Sequence, residues 1–171
     1  QRQIPDELVN ARIKHRSRLH FSVANQQVLQ LGDPDAWALL LDEQGYLCEG
    51  TGANICLVRE EQMFTPAHNC LNGISKQYVK SLVGSHKFHE TNLTLDDLLT
   101  ADEAFFTGTP FCLLPITRVN GQAIGMGAPG PVTRSLLREW SDNVGVDVVK
   151  QIQDWDRQRT EPAGSSVYAA R

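Results

Sequence analysis

Hydrophobic positions along the chain fall into short clusters separated by polar turns. Leu19, Val23, Val28 and Leu31, with Ala24 beside them, recur at helical spacing, so residues 17–31 are expected to form a helix. Ser17 is its expected N-cap, and Gly32 stands just beyond its end. Asp33-Pro34-Asp35 is a turn. Residues 37–41 are the longest apolar run and read as a buried strand; 42–45 turn the chain, and Tyr46-Leu47-Cys48 leads out. Residues 55–58 and 63–65 are further strands, the second stopped by Pro66. A helix is predicted over about 75–83 with Tyr78, Val79 and Leu82 inward. A short one over 95–100 opens on a capping box of Thr94 and Asp97. Residues 104–106 and 112–114 read as strands, and Asn120-Gly121 is a hairpin turn. After a glycine-rich loop over 125–131, a last helix starts at Pro131 with Val132, Leu136, Leu137 and Trp140 in one stripe. Alternating strands and short helices make this a mixed α/β chain.

Composition narrows the class. The 171 residues are 41% hydrophobic and 21% charged, which fits one globular domain and excludes a disordered chain. Residues 1–159 are expected to form that domain and 160–171 a loose tail of small polar residues. Sixteen Lys and Arg against twenty Asp and Glu argue against a nucleic-acid binder held by phosphate contacts. No apolar run approaches the ~18 residues of a membrane span. Cys48, Cys56, Cys70 and Cys112 form no C-x-x-C pair and lie in or beside apolar stretches, so reduced thiols in a cytoplasmic protein are expected. His15, His20, His68, His86 and His89 are scattered, and no metal site is expected. The chain opens without Met, a feature expected of a processed chain or a fragment.

Three glycine-containing turns follow strands: Glu49-Gly50-Thr51-Gly52-Ala53-Asn54, Asn72-Gly73-Ile74-Ser75 and Thr107-Gly108-Thr109. Each is ordinary turn chemistry taken singly. Together they can form an anion cradle, because glycine permits close backbone approach and Ser75 opens a helix. No full G-x-G-x-x-G or Walker motif is present, which weakens a nucleotide reading. Lys14 stands in a basic run, Lys14-His15-Arg16-Ser17-Arg18. The first twenty residues hold five basic side chains against Asp6 and Glu7. Such a run is ordinarily a solvated face; it can also attract an anionic ligand. Glu49 is either an exposed turn residue or a buried partner for a cation.

Read in order, Lys14-His-Arg-Ser-Arg-Leu, Tyr46-Leu-Cys-Glu-Gly-Thr-Gly-Ala-Asn54, Leu71-Asn-Gly-Ile-Ser75, Ala101-Asp-Glu-Ala-Phe105 with Thr107-Gly-Thr109, and Pro115-Ile-Thr-Arg-Val-Asn-Gly121 resemble the class-IV, fold-type IV pyridoxal-phosphate aminotransferases. That family includes branched-chain and D-amino-acid aminotransferases and aminodeoxychorismate lyase. The resemblance covers residues ~10 to ~140. It implies the family's C-terminal large domain, a curved sheet forming a partly closed barrel flanked by helices. It also implies pyridoxal 5'-phosphate as cofactor, and a homodimer.

The resemblance assigns roles. Lys14 matches the lysine that forms the internal aldimine and then shuttles the substrate's Cα proton. Glu49 matches the carboxylate paired with the pyridine nitrogen. Gly73, Ile74, Ser75 and Thr109 match the phosphate cup, Gly108 allows close approach beside the cofactor, and Thr51, Gly52, Ala53 and Asn54 border the substrate. The implied reaction moves an amino group from an amino acid, branched-chain ones among them, to a 2-oxo acid. A lyase of the same family and a truncated, inactive large domain are the alternatives. The lysine segment, with Arg18, Leu19 and Phe21 where branched-chain enzymes carry a tyrosine, is closer to the lyase and D-amino-acid branches. Thr109-Pro110-Phe111-Cys112 departs from the usual small-residue pattern, and the smaller domain that precedes the lysine in the family is missing from the sequence.

Overall fold

A computed structural model describes residues 3–5, 8–14 and 16–160. Arg2, Asp6, Glu7, His15 and the tail over 161–171 lie outside the described residues. The elements in chain order are α1 (Leu19–Leu29), β1 (Leu39–Leu41), β2 (Leu47–Gly50), β3 (Ala53–Arg59), β4 (Gln62–Pro66), α2 (Ile74–Val83), β5 (Phe88–Thr91), α3 (Leu95–Leu99), β6 (Glu103–Gly108), β7 (Cys112–Ile116), β8 (Arg118–Val119), β9 (Gln122–Ala123), α4 (Pro131–Val144) and α5 (Val148–Thr160). Strands β1 to β7 form one sheet, and β8–β9 is a separate hairpin. Its turn residues Asn120 and Gly121 both take positive φ, 49° and 83°, as a type I′ turn requires.

Strand β3 organises the sheet. β6 runs antiparallel along one whole edge of it, from Asn54 opposite Thr107 to Val58 opposite Glu103. The other edge is shared: β2 pairs its start and β4 its end. The sheet therefore splits beyond β3, with β1 following β2 and β5 following β4. Among the described residues no strand pairing joins β7 to β1, so the barrel is only partly closed. β5 lies parallel to β4, and α2 is the crossover between them.

Both faces of this sheet are buried. Along β3, Ala53, Ile55 and Leu57 face a core shared with Leu98 of α3 and with Ala104 and Phe106 of β6. Cys56 and Val58 face the opposite core, against Phe105, Val79 of α2, and Leu136 and Trp140 of α4. A third, smaller cluster packs Ala24 of α1 on Ala38, Leu40 and Cys48. All four cysteines are free. Burial pushes the Cys56 thiol up to about 12, which keeps it protonated and inert at neutral pH.

The helix ends show how local sequence is read. Thr94 and Asp97 form the reciprocal capping box. Ser17 is not the N-cap of α1; Arg18 holds that position, with no side-chain hydrogen bond, because the helix begins at Leu19. The capping acid of α4 comes from a distant strand. Glu103, 7% exposed, accepts from Val132 N–H (2.8 Å), Thr133 N–H (2.8 Å) and the Thr133 hydroxyl (2.6 Å). Two of the helix's orphan N–H groups and its positive end are thus matched by one buried carboxylate. Glu103→Ala is expected to cost about 2–3 kcal/mol of folding free energy, measured as a drop in the urea midpoint at unchanged slope. An unchanged midpoint would show that α4 does not depend on this cap.

Candidate active site

The register of the sheet builds the floor of a cavity. Glu49 lies opposite Asn54, Asn54 opposite Thr107, and Thr107 opposite Leu113. Directly opposed residues of antiparallel strands share a face, so the side chains of Glu49, Asn54 and Thr107 form one row. It continues the sheet face that carries Cys56 and Phe105 and packs on α2. All three are buried. The adjoining turns, at Gly52 between β2 and β3 and at Gly108–Thr109 after β6, border the same space.

The start of α2 closes one side. Gly73 is its N-cap, with φ −67° and ψ 144°, and no side chain caps the helix. The first-turn N–H groups and the positive end of the helix dipole are therefore available to an anion. Gly73 is required by contact rather than by backbone angle, since an added Cβ would lie 2.3 Å from Asn54 Oδ1. Asn54 cannot withdraw, because its Nδ2 donates to Leu71 O at 2.6 Å.

Glu49 is held from two directions. Gln3 Nε2 donates to its Oε1 (3.0 Å), and Leu71 N–H donates to its Oε2 (3.0 Å). Burial pushes its carboxyl above the usual range. The Leu71 and Gln3 hydrogen bonds and the charges of Lys76 and Arg18 pull the other way, without cancelling the effect. Lys76, the residue after Ser75, is buried, with Nζ 4.0 Å from Glu90 Oε1.

Lys14, Glu49, Gly52, Ala53, Asn54, Gly73, Ile74, Ser75, Gly108 and Thr109 line one cavity of about 330 Å³. That lies within the range of small-molecule sites, about 300–1,000 Å³. Lys14 is exposed, at the mouth. Thr51 is not part of the lining; its hydroxyl donates to Asn25 Oδ1 of α1 at 2.8 Å. Sequence reasoning missed Gln3 and the lining roles of Arg12, Arg18 and His20. The basic run announced the arginines in composition, whereas nothing local marks Gln3. Against these cations Glu49 is the acidic side chain of the lining, so the cavity suits an anionic ligand that also presents a hydrogen-bond donor.

Residues 1–119 match the family model described as amino-transferase class IV. The chain belongs to the class IV aminotransferases. A branched-chain-amino-acid aminotransferase of Pseudomonas aeruginosa is 42% identical over 110 residues, covering 63% of this chain and 36% of that protein. A D-alanine aminotransferase of Bacillus licheniformis is 31% identical over 124 residues, covering 70% of this chain and 44% of that protein. Among solved structures, the branched-chain aminotransferase of Thermobaculum terrenum in its PLP form superposes with a TM-score of 0.77 at 27% identity, over 90% of this chain and 51% of that one. This class IV aminotransferase chain therefore spans between about a third and a half of the length of these relatives. Its fold is the mixed α/β large domain of fold type IV, with the partly open sheet described above. No helix among the described residues is long and apolar enough to cross a membrane.

Proposed function

We propose that this chain is the cofactor-binding part of a pyridoxal-phosphate-dependent aminotransferase that moves an amino group from a branched-chain amino acid to a 2-oxo acid. One observation carries the reading: Lys14, Glu49 and the uncapped start of α2 line a single cavity. These residues fit pyridoxal 5'-phosphate. The first turn of α2, at Gly73, Ile74 and Ser75, together with Thr109 of the same lining, would hold the phosphate. Glu49 would accept from the ring nitrogen, and Lys14 would bond the aldehyde carbon. When bound, the cofactor supplies an aldehyde that condenses with amines and a ring that draws electrons from the bond being broken.

The rest of the chemistry falls to the chain. Lys14 would act as general base and then general acid, taking the proton from substrate Cα and giving it back. Glu49, as an anion beside the ring nitrogen, favours the protonated ring. The backbone at Gly52 and Gly108 would permit close approach of the cofactor, and Ala53 and Asn54 would border the substrate.

Ile13 and Ile74 of the cavity lining are 63% and 86% exposed, and Leu8, Leu19, Leu29 and Leu31 are each more than 70% exposed. These exposed side chains support a homodimer that would cover them. The free cysteines support a reducing, cytoplasmic setting. The D-alanine aminotransferase relative and the lysine segment, with Arg18 and Leu19 and no tyrosine, favour D-amino acids as the second reading.

The test is incubation of the purified chain with pyridoxal phosphate, followed by addition of L-leucine, D-alanine or aminodeoxychorismate. The expected result is a visible absorbance band that L-leucine bleaches and a 2-oxo acid restores. Bleaching by D-alanine alone moves the substrate class. Pyruvate release from aminodeoxychorismate identifies the lyase. A colourless protein that binds no cofactor overturns the reading.

A further inference from the structure

Gln3 lies eleven residues before Lys14 and is 6% exposed. Its backbone N–H and both ends of its side-chain amide have fixed partners. Its backbone N–H donates to Leu41 O of β1 at 2.7 Å. Its Nε2 donates to Glu49 Oε1 at 3.0 Å and to Asn69 O at 3.1 Å. Its Oε1 accepts from Ile4 N–H at 3.2 Å. Both hydrogens of the amide are therefore in use, and both face acceptors. Turning the amide over would set its oxygen against a carboxylate and a carbonyl, so the orientation shown is the one these partners permit.

The consequence falls on Glu49. Each of its oxygens receives one donor from the protein, Gln3 on Oε1 and Leu71 N–H on Oε2. A proton on this carboxyl cannot lie on the side of either donor. Each oxygen keeps a lone pair that these donors leave open, and Gln3, Leu71 and Glu49 all line the cavity. A donor in the cavity thus meets an acceptor. The loop that supplies Asn69 O is held in turn, because Asn69 Nδ2 donates to Asp42 Oδ2 (3.4 Å).

We propose that Gln3 is a positioning residue for Glu49: its amide holds the carboxylate as a hydrogen-bond acceptor aimed into the cavity, where the cofactor's ring nitrogen presents its N–H. The inference rests on the pyridoxal-phosphate reading above. It adds a residue that touches neither the reacting atoms nor the lysine, and it ties the segment before Lys14 to the acid end of the site.

Gln3→Met keeps the side-chain length and removes the donor. Two readouts on the full chain test it. The first is the pyridoxal-phosphate dissociation constant by equilibrium dialysis, for wild type, Gln3→Met, Glu49→Gln and the double variant. Gln3→Met is expected to weaken binding about tenfold alone and less than about twofold on Glu49→Gln, because it acts through the carboxylate. The second is the titration of the Glu49 carboxyl in the cofactor-free chain by carbon NMR. Lys76 and Arg18, the charged groups that act on Glu49, are unchanged in the variant, as are Lys14, Arg12 and His20 around the cavity. The midpoint is therefore expected to rise when the Gln3 hydrogen bond is lost. Gln3→Ser serves if the methionine variant does not fold. Equal losses in both backgrounds, or an unmoved Glu49 midpoint, overturn the proposal while leaving the cofactor reading standing. A wild-type chain that binds no pyridoxal phosphate overturns both.

Discussion

In Lys14→Ala, amino-group transfer is expected to fall by at least about 10³-fold, with the fold intact and the covalent hold on pyridoxal phosphate gone. Lys14 is exposed and belongs to none of the three core clusters, so its removal should leave the denaturation midpoint within about 0.5 kcal/mol of wild type. A large rate loss is expected because, in the proposed function, one amine would both bond the aldehyde between turnovers and carry the proton during them. Non-covalent affinity should survive in part, since Glu49 and the start of α2 are untouched. Borohydride reduction of the loaded chain followed by peptide mass mapping reads the result directly. Wild type should carry the cofactor on the peptide containing Lys14, and the variant on none. Label on Lys76 instead would move the site to the buried amine beside Glu90, 3% exposed, and refute the assignment of Lys14.

What could be read from the sequence, and what could not, follows from where each signal lives. The α2 stripe, the Thr94 box, the Asn120-Gly121 turn and the Pro131 start are local, and each element formed within a residue or two of its expected place. β5 went unseen because Phe88-His89-Glu90-Thr91 buries only Phe88; it is a strand by pairing with β4 and has no apolar pattern of its own. α5 went unseen because its residues are mostly charged or polar. α1 was expected over 17–31 and covers Leu19–Leu29, and only Ala24 of it is buried. Of the apolar residues at helical spacing, Leu19, Val23 and Leu31 are exposed. β4 ends at Pro66 as expected, though the proline itself is the last paired residue, opposite Thr91 in parallel register. β3 shows why periodicity fails in the middle of a sheet: with cores on both faces, Ala53 to Val58 are all buried and no alternation survives.

The candidate site divides in the same way. Glycine turns and a lysine in a basic run are visible in the sequence, and their motif order carried the resemblance. The register that puts Glu49, Asn54 and Thr107 in one row is a long-range property, as is the hydrogen bond from Gln3 across 46 residues of chain. Glu49 as an exposed turn residue and Glu49 as a buried carboxylate look alike in sequence. Burial, with Gln3 and Leu71 as donors, decides for the second, although the partners are hydrogen-bond donors rather than the cation first considered.

Gly73→Ala is expected to weaken pyridoxal-phosphate binding by about 10- to 100-fold, the second-largest effect of a single change, through a contact no ligand makes. At φ −67° and ψ 144° alanine is unstrained, so the cost lies wholly in the added methyl, placed 2.3 Å from Asn54 Oδ1. Real Cβ atoms do not approach so closely, and something must shift. Asn54 is 5% exposed, sits mid-row between Glu49 and Thr107, and is tied to Leu71 O. The loop over 71–73 is the part able to yield. Its movement carries Leu71 N–H away from Glu49 Oε2 and tilts the first turn of α2, so both the acid end and the anion end of the cavity are disturbed together. Asn54→Ala, which empties the space the methyl needs, distinguishes this contact from general destabilisation. In that background Gly73→Ala should add less than about threefold to the dissociation constant, a non-additivity expected only of residues in contact. A full additional loss there would mean that the glycine serves the anion directly, by backbone approach, and that the brace between Asn54 and Leu71 plays no part in shaping the cradle.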